Sequence, residues 1–370
     1  MTLTLREQHF ESFFELPFQI YGNRYPFVSP LKGDLKAMLE FEKNPFFGGK
    51  HGTYYTASRD GVPVGRICAH VHPRAQERFG KQEGSFGFMD CIDDPQVAQV
   101  LLEAAEAFVR AQGCTRIRGN MNLTANQEIG ILTKGEGNPP FLAQIYNPEY
   151  LPKLLEGAGY QAVYPMKTWI NDRVQDFDAD AMLGEKQRAI LQDRRYEFRA
   201  LNPRQFEQEV EHVRQVLNGS MEHNHLFVPM TEAEAQFQLG PLKLVMDPNL
   251  LQLAFFEGQP VGVTLCVPDL VPLLHKMRSR LAPWGWWHFL TGRKQLRSAS
   301  IIIILTLPAH QSRGVTRVLF HLLMKALQQG AYTRVGGTWI SDDNVASLRS
   351  AQAIGMRPYH HLSLFEKELS

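Results

Sequence analysis

The sequence contains few cysteines, and their spacing predicts neither disulfides nor a metal site. Its 370 residues include only four, Cys68, Cys91, Cys114 and Cys266, each isolated in an apolar stretch without a CxxC pair. We therefore expect free thiols in the core of a protein from a reducing compartment, and no metal.

Long apolar runs and excess charge are also missing. No segment approaches the roughly 18 uncharged apolar residues of a membrane span, and acidic residues interrupt the N-terminal stretch where a secretory signal would have its apolar core. Lys plus Arg total 39 against 38 Asp plus Glu, which argues against a broad basic surface for nucleic acid. We expect a cytoplasmic protein.

An internal repeat is present. Three pieces of the first half recur in order in the second: GVPVG (61–65) as GQPVG (258–262), QGCTRIRG (112–119) as QGAYTRVGG (329–337), and GAGYQAV (157–163) as AIGMRPY (353–359). Because each matched piece occupies an equivalent junction, the repeat predicts two copies of one α/β domain. We place the copies at 1–171 and 196–370, with a charged linker helix at 172–195.

Residues 298–330 form the most informative stretch. An apolar, β-branched run precedes a short polar turn, after which apolar residues recur at helical spacing. This pattern predicts a buried strand followed by a turn at the N-terminus of a helix. Helix N-termini carry unpaired N–H groups and partial positive charge, so we expect an anion site there, most often for phosphate.

The matching junction of the first half carries Asp93, Asp94 and Pro95. Two carboxylates cap a helix well but repel a phosphate, and the proline removes one N–H donor. We therefore expect only the C-terminal copy to hold an anion.

An insertion at 269–298 precedes the informative strand. It combines Trp284, Trp286, Trp287 and Phe289 with six Lys and Arg residues and one Asp. Such a segment can lie on an anionic membrane surface or cover an apolar tunnel. A helical hairpin that packs on its own domain, with its charges in water, is the alternative.

The turn resembles the acyl-CoA signature of the GNAT N-acyltransferase superfamily, which is Gln or Arg, two residues, Gly, one residue, then Gly or Ala. Gln311, Arg313 and Gly314 fit this frame, and Thr316 departs from it. The whole chain resembles tandem GNAT proteins of a mostly uncharacterised bacterial family. The matching pieces are NPFF (44–47), RDGVPVGRI (59–67), FGFMDCIDDP (86–95), RGNMNLTANQEIGIL (118–132), NPPF (138–141), FVPMTEAE (227–234) and WISDDNVA (339–346).

The resemblance implies a mixed-sheet α+β fold and acyl-CoA as co-substrate. The strand backbone at Leu305, Thr306 and Leu307 would then bind the pantetheine arm between two splayed strands. Asn344 would fix this arm or simply cap its helix. The pyrophosphate would lie on the turn formed by Gln311, Ser312, Arg313, Gly314, Val315 and Thr316.

Amide formation also needs acid and base groups. Many family members have a tyrosine acid seven residues after the Asn, where this chain has Ala351, so Tyr359 is the nearest replacement. The base candidates lie in two places. Glu222, His223 and His225 follow a predicted helix, and Asp342 and Asp343 precede Asn344 at the start of another. The HxH pair lacks a third metal ligand. Candidates for an acceptor pocket are Asn122, Asn126, Glu128 and Trp339, with turn formation as the alternative for the Asn-rich loop.

The resemblance implies an acyl-CoA-dependent N-acyltransferase that acts on an amine. The Trp-rich insertion favours a long-chain acyl donor, a lipid amine and contact with the inner membrane face. A GNAT-fold protein that binds acyl-CoA or a lipid without catalysis is one alternative. Aminoacyl transfer from tRNA is another, which the near-neutral charge disfavours.

Overall fold

The protein is described by a computed structural model covering residues 2–22, 27, 29–80, 82–222, 224, 226–282 and 285–369. The strands of its N-terminal half are β1 (Leu3–Glu7), β2 (Gly52–Arg59), β3 (Val62–His70), β4 (Glu83–Cys91), β5 (Arg116–Gly119), β6 (Ile131–Lys134) and β7 (Gln161–Asn171). Its helices are α1 (Phe10–Tyr21), α2 (Lys32–Leu39), α3 (Pro73–Phe79), α4 (Pro95–Ala111) and α5 (Leu151–Gly157).

The C-terminal half contributes six strands: β8 (Tyr196–Ala200), β9 (Leu251–Phe256), β10 (Gln259–Pro268), β11 (Ser298–Thr306), β12 (Arg334–Ser341) and β13 (Arg357–Glu368) among the residues described. Its helices are α6 (Glu185–Gln192), α7 (Phe206–Ser220), α8 (Glu232–Leu239), α9 (Val271–Met277), α10 (Gly285–Gly292), α11 (Pro308–Gln311), α12 (Val315–Gln329) and α13 (Val345–Ala353).

The hairpins of the repeat have matching geometry. Asp60 and Gly61 join β2 to β3, and Glu257 and Gly258 join β9 to β10, with positive φ at all four residues. Two successive left-handed residues suit the twist of a tight hairpin. The GVPVG and GQPVG pieces therefore start at equivalent turns.

The segment 172–195 differs from the expected linker helix. It contains two 3₁₀ turns, Val174–Asp176 and Asp180–Met182, and only α6 is α-helical. Val174 and Met182 are buried in the same hydrophobic cluster as α12 residues. Burial of these apolar side chains holds the chain against α12, and a continuous solvated helix would expose them. The domain boundaries themselves stay a prediction.

All strands in the described residues form one mixed sheet in the order β1-β2-β3-β4-β5-β13-β7-β12-β11-β10-β9-β8, with β6 paired to β13 outside this path. The last strand of the chain therefore lies against β5 of the first half, where Phe365 faces Gly119. In turn, β7 of the first half pairs with β12 of the second. Each half thus completes the other half's part of the sheet.

Candidate functional site

The parallel pair β11–β12 separates partway along its length. Ser298–Ile301 pair with Arg334–Gly337, and among the described residues the ladder ends there, although β11 continues to Thr306 and β12 to Ser341. A wedge opens between the two strands beyond Gly337. Backbone polar groups along its edges can bond a ligand, because a separated strand leaves ladder positions unfilled.

The N-terminus of α12 lies at the open end of this wedge. The Thr316 hydroxyl donates to the Thr306 hydroxyl at 3.0 Å, and Gln311 Nε2 donates to the Thr306 carbonyl at 2.9 Å. Both bonds tie the helix start to the end of β11. Because the first N–H groups of a helix have no intrahelical partner, the amide of Thr316, a residue of the cavity lining, is available to an anion.

Gly314 is required by the local geometry. Its φ is 96°, and a Cβ at this position would lie 2.7 Å from Nε2 of Gln187 on α6. A side chain here would meet both backbone strain and a clash. The glycine of the signature therefore has a physical role in this turn.

The two arginines near this turn have different orientations. The Arg313 guanidinium lies over the Phe256 ring, 5.5 Å from its centre, and Nη1 is 3.5 Å from the Tyr196 hydroxyl. Arg313 is therefore not part of the cavity lining. Arg317, in the first turn of α12, lines the cavity instead. The acyl-CoA signature does not include Arg317, so the sequence analysis did not identify this residue.

A cavity of about 1660 Å³ continues from the wedge into the space between the two halves. It exceeds the ~300–1,000 Å³ of ordinary small-molecule pockets. The insertion forms one wall, because α9 and α10 pack together and turn apolar side chains toward the cavity. These lining residues are Leu270, Leu273, Leu274, Met277, Leu281 and Phe289. The space suits a long apolar chain in addition to a CoA arm.

The equivalent wedge of the first half is filled by its own chain. β4 and β5 pair only over 83–85 and 116–118. Beyond that point Asn122 Oδ1 accepts from the Phe88 amide at 2.8 Å, Asn120 Oδ1 accepts from the Met89 amide at 3.2 Å, and the Met121 amide donates to the Phe86 carbonyl at 2.8 Å. These bonds occupy β4 backbone groups at the closed end of the first wedge. In the second half the Thr338 hydroxyl donates to the Ile302 carbonyl at 2.9 Å, and residues 303–306 of β11 line the cavity.

The predicted acceptor residues Asn122, Asn126, Glu128 and Trp339 all line the cavity. Asn122 Nδ2 donates to Glu128 Oε2 at 2.9 Å. Burial raises the pKa of the Glu128 carboxyl, and the bond from Asn122 lowers it by less. A carboxyl with a raised pKa can exchange a proton with an amine.

The predicted catalytic groups are not gathered in the cavity. The Tyr359 hydroxyl donates to the Pro139 carbonyl at 2.9 Å, and its residue is not part of the lining, so an acid role for Tyr359 does not fit. Tyr359 packs instead with Phe141 and Ile170 in a small buried cluster. Glu222 is likewise outside the lining, and its carbonyl accepts from Arg78. His223 and His225 lie outside the described residues.

The remaining candidates occupy the end of β12. Asn344 caps α13, accepting from the Ser347 amide at 3.1 Å, and also lines the cavity, so both expected roles fit. Asp342 is paired with Lys167, while Asp343 lines the cavity. Within the described ranges, no group of three or more His, Cys, Asp or Glu residues is placed to bind a metal, and no helix there is long and apolar enough to cross a membrane.

Two curated proteins are similar over nearly the whole chain. Protein YghO of Escherichia coli K12 is 27% identical over 373 residues, covering 99% of this chain and 94% of that protein. A bacterial ceramide synthase of Caulobacter vibrioides is 29% identical over 364 residues, covering 96% and 94%. No family model matches the chain.

Solved structures share the fold at low identity. A tandem GNAT protein from the clavulanic acid biosynthesis pathway has a TM-score of 0.60 at 11% identity, covering 99% of this chain and 98% of its own. A GCN5-related glucosamine N-acetyltransferase region in a fungal multi-domain β-N-acetylglucosaminidase has a TM-score of 0.59 at 14% identity; the match covers 99% of this chain and 38% of that enzyme. The chain therefore has the fold of tandem GNAT proteins, as its motifs indicate.

Proposed function

We propose that the protein is an acyl-CoA-dependent N-acyltransferase whose C-terminal half binds the CoA. The observation that carries this proposal is the open β11–β12 wedge beside the α12 N-terminus, in contrast to the filled β4–β5 wedge. The amide of Thr316 at the start of α12 would hold the pyrophosphate, with Arg317 adding charge. The β11 backbone at Leu305 and Thr306 would bind the pantetheine arm.

The transfer joins the amine nitrogen to the thioester carbonyl carbon, and the carbon–sulfur bond breaks to release the CoA thiolate. The attacking amine loses a proton in this step. Glu128 is a cavity carboxyl with a raised pKa, and because Asn122 also holds one of its oxygens we assign it as the base that takes this proton. Asn122 orients the carboxylate through its bond to Oε2.

A long-chain donor and a lipid amine fit the cavity best. Its volume and the apolar wall formed by α9 and α10 can bury an acyl chain, and each methylene removed from water contributes ~0.8 kcal/mol. The similarity to a bacterial ceramide synthase supports this choice, since a ceramide is the amide of a fatty acid and a long-chain amino alcohol. The acceptor class we propose is therefore a sphingoid-type amine.

A protein that binds acyl-CoA without catalysis is the second candidate. The position of Tyr359 outside the cavity favours it, because no tyrosine acid from β13 reaches the lining. This candidate predicts ligand binding without CoA release in the presence of any amine.

Release of free CoA thiol tests the two candidates directly. With palmitoyl-CoA and sphinganine we expect turnover. Its kcat/KM should be at least about tenfold above the values for acetyl-CoA with sphinganine and for palmitoyl-CoA with ethanolamine, because only the first pair buries two long chains.

A variant of the α12 turn tests the CoA site. Gly314→Glu should abolish turnover, because its side chain clashes with Gln187 and its negative charge repels the pyrophosphate. Gly258→Glu, also at positive φ but with open space around it, is the matched control and should keep turnover. Binding without thiol release across the amines would favour the second candidate.

The activity of the Glu128→Gln variant tests the base. The amide still accepts from Asn122 but cannot take a proton, so kcat should fall by about 10²–10⁴-fold. In the wild type, activity should rise with pH as Glu128 ionises, at a pH above the ordinary glutamate range because its pKa is raised. This acidic limb should vanish in Glu128→Gln and persist in Glu103→Gln, an exposed surface control on α4. An unchanged limb in Glu128→Gln would exclude this role.

We also propose that α10 contacts an anionic membrane from which the lipid amine enters. Trp287 is 67% exposed and Leu290 59% exposed on this helix, and Trp286 is both exposed and part of the cavity lining, which puts the helix at the cavity mouth. The same insertion carries exposed Lys and Arg residues: Lys276, Arg278, Arg293, Lys294 and Arg297. In the described part of the chain none of these five forms a salt bridge with an acidic residue, so their charge is available to anionic lipid.

Co-sedimentation with phosphatidylcholine–phosphatidylglycerol vesicles tests this surface. Trp287→Ala/Leu290→Ala should weaken binding at least about tenfold, since burying one such side chain contributes ~1.5–3 kcal/mol. The control is Val62→Ala, which alters a residue 60% exposed on β3 and should bind like the wild type. Equal binding of the double variant, or equal binding to vesicles without phosphatidylglycerol, would contradict the proposed contact.

A further inference from the structure

Trp169 lies beside the closed end of the β11–β12 wedge. On β7 it pairs with Gly337 of β12 and with Pro358 of β13. Gly337 is also the last β12 residue that pairs with β11. The tryptophan thus occupies the strand next to the point where the wedge begins.

The indole of Trp169 is buried but its N–H group is unused. The residue is 3% exposed, and in the described part of the chain Nε1 has no hydrogen-bond partner. It packs in an apolar cluster that includes Ile301, Ala351 and Met356. Buried tryptophan N–H groups normally find a partner, because an unsatisfied donor costs ~1–3 kcal/mol.

The cavity is the place where this donor can find a partner. Trp169, Ile301, Ala351 and Met356 all line it. Ser29 and Ser220 also line it and have buried, unpartnered hydroxyl groups in the same described residues. Polar atoms left unpaired around one cavity indicate polar groups on its ligand.

The length of the wedge indicates which part of CoA reaches Trp169. The Thr316–Thr306 bond places the anion site level with the end of β11. The pantetheine arm has about twelve bonds between its phosphate and its sulfur, equal to about four extended residues, or ~14 Å. An arm that starts at Thr306 and follows β11 therefore brings its sulfur to the level of Ile302, next to the pair Ile301–Gly337.

We propose that the Trp169 indole N–H donates a hydrogen bond to the CoA sulfur and stabilises the thiolate that leaves during transfer. This inference rests on the proposed function. As the carbon–sulfur bond breaks, its electron pair goes to sulfur, and a donor fixed in a water-poor site stabilises the new negative charge. Indole does not give up its proton, so Trp169 stabilises the leaving group and Glu128 keeps the proton of the amine.

Binding of CoA and desulfo-CoA as a function of pH tests this bond. A thiol ionises near pH 8.5, so wild-type protein should bind CoA about ten- to a hundredfold more tightly as pH rises through that range, since a hydrogen bond to a charged group contributes ~1.5–3 kcal/mol. Desulfo-CoA, which has no sulfur, should show no such rise. Trp169→Phe should remove the difference between the two ligands, and Tyr332→Phe, which alters a ring of the same cluster outside the cavity lining, is the control and should keep it.

The outcomes separate this inference from the function it rests on. If wild-type protein binds neither ligand, both proposals fall. If it binds both and Trp169→Phe keeps the rise with CoA, only the role of Trp169 is wrong. The Phe ring is smaller than indole and leaves space in the cluster. A second test therefore incorporates β-(3-benzothienyl)alanine at position 169, which has the shape of tryptophan without the N–H. The difference between CoA and desulfo-CoA should be lost in the same way.

Discussion

The separation of β11 from β12 after Ile301 is the constraint on which the site depends. A parallel pair that stayed closed to Ser341 would use its backbone groups within the sheet and leave no space for a ligand arm. Because the strands part, α12 can begin level with the end of β11, and Thr306 and Thr316 hold that arrangement. Strand edge, helix N-terminus and cavity then form one continuous surface.

The same separation exists in the first half with a different outcome. There, the side-chain oxygens of Asn120 and Asn122 accept from the amides of Met89 and Phe88, so the chain itself fills the wedge. The loop that closes this wedge also presents Glu128 to the shared cavity. Two copies of one domain have thus acquired complementary parts: one provides the wedge, and the other provides polar groups that face it.

The exchange of β7 and β13 explains how the halves meet at one site. β7 carries Trp169 into the sheet beside β12, while β13 returns to β5. A residue of the first half thereby lies at the closed end of the wedge in the second. The register of Trp169 with Gly337 is therefore a consequence of the exchange.

Local features were predictable from the sequence, and long-range ones were not. The helical spacing of Val315, Val318 and Leu319 depends on near neighbours and was predicted correctly, and the cap that was one of two roles expected for Asn344 is observed. Strand exchange depends on pairing between residues some 250 positions apart, such as Gly119 and Phe365, which no local pattern encodes. The orientation of Arg313 likewise depends on a contact that no local pattern encodes, with Phe256 at the end of β9.

Hydrogen exchange with and without CoA shows which wedge binds the ligand, because it reports on the β11–β12 and β4–β5 strands separately. We expect CoA to slow exchange of the amides along 302–306 and at Thr316, and to leave those along 86–91 unchanged. Slowing along 86–91, or no slowing along 302–306 under conditions where CoA is bound, would contradict the assignment of the β11–β12 wedge as the CoA site.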